Sequence, residues 1–106
     1  MHRNTLYNAL NAYRIKLALE RNQYSDNGLR SIEKKIDQCQ SYLKESTNKV
    51  DGNWMEANAD ILSKAVKYAY DIKCDDIRNS ADIELQELKK CIEFFKVIYE
   101  RCGVDY

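Results

Sequence analysis

The chain has 106 residues, of which 32% are charged and 44% hydrophobic, and its 17 basic and 17 acidic side chains cancel. That composition excludes a disordered tail. It also argues against a domain whose main task is to neutralise phosphates, because such domains are usually strongly basic. It predicts one domain over residues 1–106, large enough to bury a core without metal or disulfide staples.

Proline is absent and glycine occurs only at 28, 52 and 103, so few positions force a turn. The charge is uneven: residues 1–50 carry nine basic and five acidic side chains, residues 51–106 eight and twelve. Two oppositely charged helical pairs would attract each other, though net charge is a weak guide to partners. No apolar run approaches the ~20 residues of a membrane span, and Met1-His2-Arg3-Asn4-Thr5 runs straight into a patterned helix, which predicts a cytoplasmic protein. Cys39, Cys74, Cys91 and Cys102 contain no Cys-x-x-Cys pair and read as small buried apolar residues in a reducing compartment.

The first helix is predicted over about 4–21. Leu6, Leu10, Tyr13 and Leu17 form one stripe with Ala9 beside it, while Ala12, Ile15 and Leu19 form a second stripe nearly opposite. A helix apolar on two sides is either central in its domain or touches something outside it. After a polar turn over 22–28, Ser25 or Asp26 should cap a second helix over about 29–45, with a seam of Leu29, Ile32, Ile36, Cys39 and Leu43.

Residues 46–53 form the most loop-like stretch, ending in Asp51-Gly52-Asn53, where Asp51 or Asn53 can cap a third helix over about 54–73. Trp54, Ile61, Ala65, Tyr68 and Ile72 mark its buried side. Between Cys74 and Ser80 the apolar pattern lapses and a turn is expected. The rival is one helix from Trp54 to Cys102, ~70 Å long at 1.5 Å per residue.

The fourth helix, about 80–102, carries Leu85, Leu88, Ile92, Phe95 and Tyr99 at helical spacing, with Asn79 or Ser80 as its cap and Gly103 as its stop. Phe94 and Ile98 lie outside that stripe, so this helix also has more apolar surface than one face needs. Four such helices with short loops predict a compact antiparallel up-down four-helix bundle.

Catalytic chemistry finds little support. His2 is the only histidine and sits at the terminus, which removes Ser-His, Cys-His and most zinc-hydrolase arrangements. Asp71, Asp75, Asp76 and Asp82 are the densest acidic group, but such acids also suit a helix N-terminus, and no Glu-x-x-His pair completes a bundle metal site. Neither an enzyme nor a bound metal or other cofactor is expected.

The expectation is a non-catalytic protein that binds another protein and modulates it, of the inhibitor, adaptor or immunity type, with self-association as a homodimer as the companion expectation. The contact residues would be the surplus apolar side chains Ala12, Ile15, Leu19, Phe94 and Ile98. Tyr7, Tyr24, Tyr42, Tyr70 and Tyr106 lie off the inner stripes and would suit a binding surface, while Tyr13, Tyr68 and Tyr99 fit the core. The abundance of Asn, Lys, Ile and Tyr, types favoured by A/T-rich codons, suggests a low-GC genome or a virus of such a host, and with the small size a phage or mobile-element origin. The alternative is a small nucleic-acid-binding regulator using Arg3, Tyr7, Arg14 and Arg21 along the first helix, although arginines on a helix flank are more often a solvated face.

Overall fold

The computed structural model describes residues 2–45, 50–76 and 83–103, and every regular element among them is helical. The first helix, α1 (His2–Leu19), buries Leu6, Leu10 and Leu17 completely, as the first stripe requires. It ends two residues earlier than expected, and Arg21–Gln23 forms a single 3-10 turn instead.

The second helix, α2 (Asp26–Glu45), starts three residues before Leu29. Its cap is Ser25, whose Oγ accepts the Gly28 N–H at 3.1 Å while the Ser25 carbonyl accepts the Leu29 N–H at 2.9 Å. A serine in that position satisfies an amide that the first helical turn leaves without an intrahelical acceptor. Leu29, Ile36, Cys39 and Leu43 of the seam are buried, Ile32 is half-buried, and Gln40 joins the buried set.

The helix expected over 54–73 is two helices, α3 (Gly52–Ala57) and α4 (Ala59–Asp76). Asp51 caps α3 by accepting the Asn53 N–H at 3.1 Å. The break is at Asn58, which leaves the helical region (φ −110°, ψ 21°) and turns its own side-chain amide back onto the Trp54 carbonyl at 2.9 Å. Asparagine competes with helix in this way because its short amide can replace a backbone donor. At the other end α4 continues through Cys74 to Asp76, so the first three residues of the expected turn are helical.

The last helix, α5 (Ile83–Arg101), stops at Gly103, which takes the left-handed conformation with φ +73° and donates its N–H to the Glu100 carbonyl. Asn79 and Ser80, expected to cap this helix, lie outside the described residues. A single helix from Trp54 to Cys102 is ruled out by Ser63 Oγ and Tyr99 Oη, which lie 3.1 Å apart. On one continuous helix they would be ~54 Å apart. The molecule measures 39 × 33 × 33 Å, shorter than such a rod.

The contacts between helices also fix their directions. Gln40 reaches back to Tyr7 and Asn11, and Arg14 pairs with Asp37, so α2 runs opposite to α1. Tyr13 meets Tyr68, while Ala9 and Ala12 line one cavity with Ala69 and Ile72, so α4 also runs opposite to α1. The long helices therefore do not alternate as a simple up-down order requires. The short α3 lies between α2 and α4 and carries the chain back along α2, with Trp54 stacked on Tyr42 at 4.0 Å and Asn58 beside Cys39. Ser63 beside Tyr99, with Ala69 and Ile72 around one cavity with Leu88, makes α5 antiparallel to α4 and so parallel to α1. One core results, in which Phe95, Leu6, Leu10, Leu17, Ile36, Leu43, Leu62 and Leu88 are all under 2% exposed. Full burial of each such side chain contributes about 1.5–3 kcal/mol.

Candidate functional site

The surplus apolar residues divide. Leu19 is 83% exposed and Ile15 60% exposed, Ala12 and Phe94 are half-buried, and Ile98 is only 5% exposed. Ile98 is thus a core residue and not a contact residue. The reason is a rotation of the buried face of α5: Leu88, Cys91, Phe95 and Ile98 are buried, whereas Ile92 and Tyr99, placed at its centre by the sequence pattern, are half-buried. Cys91 fills a core position where its small side chain lets α5 approach its neighbours. Tyr99 sits at the margin because its hydroxyl must reach Ser63.

Exposed apolar side chains lie on both α1 and α5. Near the start of both helices Thr5 Oγ1 donates to Glu87 Oε2 at 3.2 Å, which sets the register of the two parallel helices. Seven residues is nearly two full helical turns, so residues seven further on return to the same faces. Those residues are Ala12 and Phe94. One turn further along each helix are Ile15 on α1 and Val97 on α5, the latter 50% exposed. At the closed end Thr5, Asn8, Ala9 and Ala12 meet Ala69, Ile72 and Leu88 around a cavity of about 140 Å³. Toward the other end the same stripe of α1 emerges at Ile15 and Leu19. The Phe94 ring is fixed edge-on against Phe95, with centroids 5.5 Å apart at 82°.

The adjoining flank of α1 is polar and tethered. Lys16 Nζ bonds Glu20 at 2.9 Å and lies 5.7 Å and 5.5 Å from the ring centres of Tyr13 and Tyr68. The hydrogen bond to Glu20 holds the Lys16 ammonium above its ordinary pKa. Val97 was missed by sequence reading. Its signal was an aliphatic residue set among Glu93, Lys96, Glu100 and Arg101, where a buried side chain has no business.

The tyrosines expected at the surface are not free. Tyr7, Tyr24, Tyr42 and Tyr70 are half-buried and pack against the core, as do Tyr13 and Tyr99, and Tyr106 lies outside the described residues. Cysteine behaviour also splits. Cys39 and Cys91 are buried, but Cys102 is exposed, contrary to expectation. Burial, aided by the nearby Glu87 carboxylate, pushes the Cys91 thiol up to about 12, which keeps it protonated and inert as a nucleophile.

The basic strip falls into three separate places. Arg14 is paired with Asp37, and Arg21 lies beyond the end of α1 on the exposed 3-10 turn. Arg3 and Tyr7 line a different cleft, with Asn4, Leu43 and Lys44. In the acidic group Asp71 is exposed, while the side chains of Asp75, Asp76 and Asp82 lie outside the described residues. No described helix is long and apolar enough to cross a membrane. Comparison of the chain with protein-family models, with curated proteins and with solved structures found no match.

Proposed function

We propose that the chain is a non-catalytic protein that binds another protein through the surface between α1 and α5 and modulates its activity. The observation that carries this reading is the exposure of Ile15 and Leu19, at 60% and 83%, on the same stripe as Ala12, together with the half-exposed Val97 on α5. Isolated exposed apolar residues are ordinary, but several on facing flanks of two helices make a seat for an apolar side-chain row of a partner. A partner helix that presents such a row would displace water from Ile15 and Leu19 while Phe94, already held by Phe95, would serve as a rigid wall.

The inhibitor, adaptor or immunity class is a fold-level analogy from a small helical bundle with two long helices in each sense, and a cytoplasmic setting goes with it. A second copy of the chain is the competing occupant. Sedimentation of the wild type and of an Ile15→Glu, Leu19→Glu double variant, followed by their use as paired baits against an extract of the source cells, tests the reading. A monomer whose partner is captured by the wild type and lost by the folded variant is expected. A partner held equally by both would remove the surface from consideration.

A further inference from the structure

Where α1, α4 and α5 pack together, Leu6, Leu10 and Leu17 are completely buried, but Ala9, Ala12 and Ala69 stand around a cavity of about 140 Å³. Small side chains at a helix contact ordinarily let the two helices close up until no such space is left. Here a spacer stands next to the alanines. Tyr13 follows Ala12 on α1, Tyr68 precedes Ala69 on α4, and the two rings meet with their centroids 6.3 Å apart. The hydrogen bond from Thr5 to Glu87, at 3.2 Å, fixes α5 against α1 as well. The space is therefore framed by contacts that do not depend on its being filled.

The lining decides what the cavity can hold. Ala9 and Leu88 are 1% and 2% exposed, and with Ala12, Ala69 and Ile72 they form an apolar wall contributed by three helices. The polar lining residues are Thr5, whose hydroxyl proton is committed to Glu87, and the exposed Asn8. No charged side chain is among the lining residues. Every buried side-chain nitrogen and oxygen among the described residues has a hydrogen-bond partner, so the wall offers no orphan group to anchor a water, which needs several polar contacts. A hydrocarbon-lined cavity of about 150 Å³ stays free of water and binds benzene, and this one matches it in size and chemistry.

We propose that the cavity between α1, α4 and α5 binds a small neutral aromatic molecule, about the size of one benzene ring. Burial of the ring against the alanine methyl groups, Ile72 and Leu88 supplies the affinity. The buried Glu87 carboxylate behind Thr5 disfavours an anionic guest. The site does not rest on a protein partner at Ile15 and Leu19.

Titration of the full chain with benzene and with benzoate, followed by methyl proton and carbon chemical shifts, tests it. Benzene should give saturable shifts centred on Ala9, Ala12, Ala69, Ile72 and Leu88, and benzoate none. Ala12→Leu, at a half-buried position, and Ala69→Leu each put three further carbons into the space and should weaken benzene binding about tenfold or more. Ala18→Leu, at an exposed position of the same helix, should leave it unchanged, as should Ile15→Glu with Leu19→Glu, which separates this site from the protein-binding surface. Each variant's fold is checked by its helical circular dichroism. The absence of saturation, shifts as large at Ile15, Leu19 and Val97 as at the cavity, equal binding of benzoate, loss of benzene binding in the folded Ile15→Glu, Leu19→Glu variant, or a folded Ala12→Leu protein with wild-type affinity would each overturn the proposal.

Discussion

Thr5 and Glu87, 82 residues apart in the chain, meet through a hydrogen bond from hydroxyl to carboxylate at 3.2 Å, and both residues are under a tenth exposed. The bond joins the first turns of α1 to those of α5. A carboxylate so placed needs a donor, because a buried charged acceptor left without one bears its full desolvation cost.

Thr5→Val keeps the shape and removes the donor. The variant is expected to lose about 1–3 kcal/mol of stability in urea unfolding, and Thr5→Ser to retain most of it. A Thr5→Val protein as stable as the wild type would mean that water reaches Glu87.

Position within the apolar set decides tolerance. Ile15→Glu and Leu19→Glu should each change stability by less than about 0.5 kcal/mol, as surface substitutions do. Ile98→Ala should cost about 2–5 kcal/mol through the cavity it leaves. Denaturant midpoints of the three variants check this ordering, and a large loss at Leu19 would place that residue in the core.

The two thiols should differ in reactivity. Cys102 is exposed and should react with a thiol reagent in the native state, while Cys91 should react only on unfolding. The folded Cys91 pKa of about 12 lies above its ordinary value of 9.0, so above pH 9 the unfolded chain releases a proton that the folded chain keeps. Stability from this group is complete below pH 9 and falls as pH rises toward 12, with a slope of at most about 1.4 kcal/mol per pH unit. Cys91→Ala should flatten that part of the stability curve.

Ser25 and Gly28 are coupled at the start of α2. A Cβ on residue 28 would lie 2.8 Å from Ser25 Oγ, so Gly28→Ala displaces the cap and loses its gain in helix propensity. Ser25→Ala alone should cost about 1 kcal/mol. In that background Gly28→Ala should stabilise by about 0.5–1 kcal/mol, and a double-mutant cycle from thermal melts reads the difference.

Much of the helical content could be read from spacing. The 3, 4, 3, 4 repeat of α2 and the first stripe of α1 correspond to buried residues, apart from the half-buried Ile32 and Tyr13, because each stripe lies on the side that meets the core. The break at Asn58 could not, since alanine, methionine and leucine around it all favour helix and the interruption comes from one amide folding back on Trp54. Helix order was hidden for the same reason: without α3 nothing in the pattern shows the chain returning along α2. For the candidate surface, Ile15 and Leu19 were legible as a second stripe, whereas Ile98 was misplaced by a rotation of α5 that depends on Cys91 packing, a tertiary effect that periodicity does not encode.

The stack of Trp54 on Tyr42 gives the molecule a built-in optical probe. Trp54 is the sole tryptophan, and its indole lies on the seam where α3 doubles back along α2. Its emission therefore follows detachment of that crossover, and it can report a local opening there before the rest of the helices come apart.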